Sequence, residues 1–231
     1  MRILELDSAQ LAAWREHARD SILEINDGIA SAAGVAEGFA TAGATLHTLL
    51  LAGLTLIVAG ALAAAGARYS EIRTEWEMNC SLIEDERDSL LADPAGEMEE
   101  LVAIYQAKGL EPQLARQVAV ALTGRDAVAA HVDAELRLDR LGTSSGAVPA
   151  AAIAGLSYGL GAAVPLLLVY FLPSWERQVS TLVVVLLALA LTGSIAAWLT
   201  GLPTIRLVRR NVTLGAVTMA GAIIVGYAVH I

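Results

Sequence analysis

The chain contains one cysteine, Cys80, and one lysine, Lys108. A lone cysteine cannot build a disulfide framework, which excludes a small secreted domain held by bridges. Scarce lysine in a chain rich in arginine points to a GC-rich bacterial genome and so to a plasma membrane. Surplus positive charge is also missing, because the net charge is −9. A surface that neutralises phosphates needs an excess of Lys and Arg, so nucleic acid is excluded as a partner. There is no zinc-type Cys/His spacing, P-loop, G-x-S-x-G turn or Ser/His/Asp arrangement. The chain therefore does not read as an enzyme and calls for no cofactor. Residues Met1–Asp20 are charged and lack the apolar stretch of a cleavable signal peptide. They read instead as a short amphipathic helix with Leu11 and Trp14 on one side. Neither a solenoid-length repeat nor a low-complexity tract occurs.

What is abundant is apolar side chain: 56% of residues are hydrophobic and the mean hydropathy is +0.59. A water-soluble globule has too little interior to hide that much, and a disordered chain would not carry it. The composition points to a membrane protein. About 20 mostly apolar residues cross a bilayer, and Ala147–Phe171, Val179–Thr200 and Val212–Val229 meet that rule almost free of charge. Leu46–Ala67 is a further clean candidate. Ile22–Ala44 makes a fifth span provided Glu24, Asp27 and Glu37 are tolerated within it.

Charge is confined to the middle of the chain. Glu71–Arg140 holds sixteen acids against seven bases, while the remainder is neutral overall. A polar, acidic segment between apolar ones is the pattern of a soluble domain inserted between membrane spans. Lys and Arg accumulate in short cytoplasmic loops. With the N-terminus inside, the cytosol receives Arg2, Arg15, Arg19, the central segment, and Arg206, Arg209 and Arg210 between the last two spans. Only Arg177 then lies outside, and the chain ends outside at His230 and Ile231. The central domain reads as helical, with Asp93-Pro94-Ala95-Gly96 as a turn, Gly109-Leu110 as a helix stop, a helix from about Pro112, and Asp126 as the cap of another.

The fold expected is all-α: a polytopic membrane protein with five transmembrane helices and a cytosolic helical domain between helices 2 and 3. Residues 1–20 form the cytosolic amphipathic segment, 21–70 helices 1 and 2, 71–146 the acidic domain, and 147–231 helices 3 to 5.

Carboxylates within an apolar span are costly, roughly 2.5–3.5 kcal/mol each at the bilayer centre, and mark candidate pathways. Glu24 and Asp27, three residues apart, share a helix face, and Glu37 lies about 80° around from Asp27. Hard oxygen donors on a path suit divalent cations, and a carboxylate that also takes a proton suits exchange of metal for H⁺. The plainer reading is a solvated residue at the membrane interface. Gly28, Gly34, Gly38 and Gly43 leave room for close helix approach. In the central domain, Glu97 and Glu100 share a helix face with Glu99 beside them, Glu84, Glu86 and Asp88 lie on the preceding helix, and His131 and Glu135 are four apart. Brought together, such groups bind Fe²⁺, Mn²⁺ or Zn²⁺; left apart, they are a solvated acidic face. Cys80 and Met78 are lone soft atoms.

Three motifs in order carry a resemblance: Asn26-Asp27-Gly28-Ile29, then Pro94-x-x-Glu97-x-x-Glu100-Leu101-x-x-Ile104-Tyr105-x-x-x-Gly109-Leu110, then Gly159-x-Gly161-x-x-x-Pro165-Leu166-Leu167. From about Ser21 to the end, the chain resembles the vacuolar iron transporter family of metal/proton antiporters. The resemblance implies a homodimer of five-helix protomers whose cytosolic helices collect Fe²⁺ or Mn²⁺ for export against protons. It places Asp27 on the translocation path and matches Glu86, Glu97, Glu100 and Glu135 to four acids of the cytosolic metal site. The family's Ser-Met-Ala-x-Gly-Glu stretch becomes Leu62-Ala63-Ala64-Ala65-Gly66-Ala67, so Ala63 and Ala67 replace a methionine and a glutamate. Ser89 stands at another acid position, and His131 where the family can offer methionine. Glu24 and Glu37 are candidates to stand in for the missing second-span groups, and Zn²⁺ or Co²⁺ join the candidate metals. The alternative reading is a relative that anchors a metal-binding or interaction domain in the membrane without transporting.

Overall fold

The computed structural model describes residues 8–136, 146–172 and 174–229, with side chains omitted at 8–13, 136 and 174–177. Arg2, Arg137, Arg140, His230 and Ile231, and the side chains of Leu11 and Arg177, lie outside the described residues. Helices make up the chain: α1 (Ser8–Thr41), α2 (Leu46–Ala92), α3 (Pro94–Ala107), α4 (Pro112–Thr123), α5 (Ala127–His131), a π-helical turn (Val132–Leu136), α6 (Ala147–Phe171), α7 (Ser174–Thr200) and α8 (Thr204–Ala228). There is no strand among the described residues. Two compact units form, one from Met1–Tyr69 with Val148–Ile231, the other from Ser70–Ala147.

Among the described residues, four helices are long and apolar enough to cross a membrane: α2, α6, α7 within Gln178–Thr200, and α8. The protein is a multi-pass membrane protein. Helix α1 is not among the four, since its acids dilute its apolar stretch, yet it packs on both α7 and α8. It is also one unbroken helix from Ser8, so residues 8–20 of the expected amphipathic segment are its first turns rather than a separate element. Nothing between Ser8 and Asp27 breaks a helix, and alanine favours one.

Two sequence expectations need correction. Helix α8 begins at Thr204, immediately after Pro203, so Arg206, Arg209 and Arg210 sit on the helix and not in a loop. Hydropathy marks where apolar residues begin, whereas a helix begins where backbone geometry allows, and Pro203 sets that start. Similarly, Asp93–Gly96 is no turn: Pro94 is the first residue of α3, and the Asp93 carboxylate accepts a hydrogen bond from the Gly96 amide. Proline at the first helical position loses no hydrogen bond, and an aspartate cap satisfies a free N–H there.

In the first unit, α1 meets α6 at backbone contact. A Cβ on Gly28 would collide with the Tyr158 carbonyl, and one on Gly161 with the Ile25 carbonyl. Bilayer-embedded helices gain little from burying apolar surface against one another, so this closeness, won by small residues, is what holds them. Gly34 and Gly38 likewise face Thr218 and Ala222 on α8. Gly161→Val should therefore cost at least about 1–3 kcal/mol through overpacking. Its melting temperature by tryptophan fluorescence should fall well below wild type. Gly66→Ala, which meets nothing within 4 Å, should leave it unchanged or slightly higher.

The second unit packs Leu101 and Val102 of α3, Ala115 and Ala119 of α4, and Ala130 and Ala134 into one core. Asp126 caps α5 by accepting from the Ala129 amide. Gly109, at φ +98°, turns the chain out of α3, a conformation other residues adopt at a cost.

Candidate metal centre

The caps and the α3–α4–α5 core bring four side chains to one point. Glu86 comes from α2, Glu97 from the first turn of α3, His131 from the end of α5 and Glu135 from the π-helical turn. One donor atom of each lies within 4.8 Å of all the others. His131 is fully buried, and its Nδ1 is 3.1 Å from Glu86 Oε1 and 3.7 Å from both Glu97 Oε2 and Glu135 Oε1. Single-turn π insertions recur at functional sites, because the extra residue re-aims a side chain without ending the helix.

His131 Nδ1 and Nε2, Glu86 Oε1 and Glu135 Oε1 are buried without a hydrogen-bond partner among the described residues. Three carboxylates converging in a partly desolvated space repel one another, and a bound cation would relieve that repulsion. Donors bound about 2.0–2.2 Å from one ion sit roughly 3.0–3.5 Å apart, so small side-chain adjustments close this set on a metal. Hard oxygens with one borderline nitrogen suit a first-row divalent ion. Burial, reinforced by Glu135, Glu97 and Glu100, raises the Glu86 pKa above the usual carboxylate value, while His131 opposes the rise.

A carboxyl with a raised folded pKa stabilises the fold below its unfolded pKa and loses that contribution as pH rises through the folded value. Glu86→Gln should accordingly raise the melting temperature of the metal-free protein at pH 7. The gain should vanish near pH 4, and thermal melts across pH in chelator measure it.

The other acids of the segment are elsewhere. Glu100 is exposed and outside the four-residue group, although it is near enough to act on Glu86. Glu84 and Asp88 are exposed, and Glu99 pairs with Arg116 on α4 at 2.8 Å. Met78 is exposed and Cys80 half-buried.

In the first unit, the three acids of α1 do not share a site. Asp27 lines a cavity of about 300 Å³ with Asn26, Arg210 and Asn211. Asn26 is buried and accepts a hydrogen bond from the Thr192 hydroxyl of α7. Glu24 is half-buried and Glu37 is 4% exposed, and neither lines that cavity. Sequence reading used Arg210 only to orient the chain and missed it and Asn211 as residues beside Asp27. The signal available for them was three arginines at helical spacing just after Pro203.

A multi-pass helical membrane protein with an acidic, histidine-containing cluster on a separate helical unit is the class these observations define. A model of the VIT family matches residues 18–227. The chain belongs to the VIT family. It is 32% identical over 212 residues to a vacuolar iron transporter of Acanthamoeba castellanii, covering 90% of this chain and 77% of that one. Vacuolar iron transporter 1 of Arabidopsis thaliana is 27% identical, with 90% and 84% covered. Vacuolar iron transporter 1 of rice, Oryza sativa subsp. japonica, is 29% identical, with 90% and 83% covered. Relatives in this family are transporters and not enzymes.

Proposed function

We propose that the protein exports cytosolic Fe²⁺ or Mn²⁺ across a membrane in exchange for protons. The observation that carries this reading is the convergence of Glu86, Glu97, His131 and Glu135, with donor atoms of Glu86, His131 and Glu135 buried without a hydrogen-bond partner among the described residues, in a chain of the VIT family. The second unit collects the ion on the cytosolic side, with Glu100 attracting it from the surface. Asp27 then carries it through the membrane, with Glu24 and Glu37 as further carboxylates on the way. Helix α1 serves as a fifth span, supported by its 34 residues and its packing on α7 and α8. The N-terminus lies inside, two protomers pair, and the membrane is a bacterial plasma membrane, the last resting on the scarcity of lysine. Zn²⁺ and Co²⁺ are secondary cargoes because His131 adds a nitrogen donor.

A second reading is favoured by Ala63 and Ala67, both exposed on α2 at positions where the family pattern has metal-binding side chains. On that reading the scaffold holds metal without moving it. Proteoliposomes under a pH gradient, offered Fe²⁺, Mn²⁺, Co²⁺ and Zn²⁺ in turn, decide between the two. Metal flux coupled to counterflowing protons supports the exporter, whereas metal bound but never delivered to the lumen supports the anchored binder.

A further inference from the structure

Arg210 entered the sequence reading only as a base that orients the chain. The structure places it on the wall of the cavity of about 300 Å³ that Asp27 lines. Asn26 and Asp27 of α1 and Arg210 and Asn211 of α8 supply the polar wall, and both asparagines are buried. Among the described residues, no ion pair of 4 Å or less engages either Asp27 or Arg210. The two charges share a cavity without neutralising each other by contact. Asp27, Arg206, Arg209 and Arg210 are all exposed, but of the three arginines only Arg210 lines the cavity.

A guanidinium stays protonated at any physiological pH, so this positive charge is permanent. A cavity of this volume is on the order of 7 Å across, and over that distance repulsion between a divalent ion and a fixed cation exceeds thermal energy several-fold at an effective dielectric constant of about 20. A carboxylate alone would hold a partly dehydrated divalent ion tightly, and a transport site that binds too well releases slowly.

We propose that Arg210 is a positioning residue for the cargo, a fixed cation that weakens divalent binding at Asp27 enough for the ion to leave. The proposal takes the identity of the cargo from the transport reading above. It differs from a membrane-anchoring role, which exposed Arg206 and Arg209 on the same helix could fill as well, and from a structural ion pair, which would require contact.

The test uses the full chain in proteoliposomes with Mn²⁺ as the probe. Arg210→Gln should lower KM about tenfold and lower the maximal rate by a similar factor, because removing the repulsion deepens the bound state. Arg210→Lys, which keeps the charge, should restore both parameters to within about twofold of wild type, and Arg209→Gln should change neither. A merely structural role would lower the rate with KM unchanged or raised, and charge retention would not rescue it; that pattern overturns the proposal. Equilibrium Mn²⁺ binding to the purified full chain in detergent gives a separate readout. Arg210→Gln should tighten binding, and Asp27→Asn in the same chain should abolish the gain. If the wild type moves neither Mn²⁺ nor Fe²⁺, the transport reading fails, and the binding measurement alone decides: tighter, Asp27-dependent binding upholds Arg210's role, and unchanged binding overturns it. Should Arg210→Gln not yield monodisperse protein, Arg210→Met, which keeps the apolar stem, carries the same expectation.

Discussion

Asp27→Asn is expected to remove nearly all metal flux and to leave the protein folded. An asparagine fills the same space and still offers an oxygen, but it carries no charge to offset the dehydration of an entering cation. It also has no group that takes a proton at ordinary pH. With the charged oxygen donor of the cavity gone, flux should drop on the order of a hundredfold or more. Folding should survive, because neutralising an acid on a membrane helix relieves an insertion cost of about 2.5–3.5 kcal/mol at the bilayer centre. The neighbouring Asn26–Thr192 hydrogen bond does not involve the Asp27 side chain. Initial rates in proteoliposomes, with monodispersity as the folding control, give the answer, and wild-type flux from the mutant would remove Asp27 from the path.

The second large effect separates two neighbouring acids. Glu86→Ala should weaken metal binding at the second unit by about a hundredfold or more, since it deletes one of four convergent donors and leaves the others without a shared ion. Glu100→Ala, although its residue belongs to the same family motif as Glu97, should weaken binding only about threefold, by loss of an exposed charge a short distance away. Titration of Mn²⁺ into the full chain carrying Asp27→Asn isolates this site from the membrane one. Equal losses from the two substitutions would mean that Glu100 is a ligand and that the four-residue cluster is incomplete. His131→Ala supplies the complementary measurement: losing the one nitrogen should cost Zn²⁺ and Co²⁺ more affinity than Mn²⁺.

Membrane character, the acidic middle segment and most helices were legible in the sequence because they depend on composition and on local chemistry. The cap at Asp126 and the turn at Gly109 are short-range events involving residues within three or four positions. The acids Glu86, Glu97 and Glu135 were reached through the resemblance, and their spacing alone left them indistinguishable from Glu84, Asp88 and Glu99. Whether an acid points at a partner or at water depends on the rotation of its helix against helices distant in sequence. Helix α3 docks on α4 through Leu101 and Ala115, and that docking turns Glu97 inward while Glu99 reaches Arg116.

By itself, then, the sequence determined that this chain enters a membrane, where its charge lies and which residue types are available to hold a cation. Those properties follow from the free energy of transferring each side chain out of water, which needs no knowledge of neighbours. Only the tertiary structure decided that His131 meets three of the many acids, and that Asp27 shares its cavity with Arg210 and not with Glu24 or Glu37. The first depends on the docking of α3 with α4, α5 and the π-helical turn, the second on contacts between α1 and α8, whose residues lie far apart along the chain. Hydropathy counts residues one at a time, whereas a site is a distance between side chains, and that distance is fixed only when the helices pack.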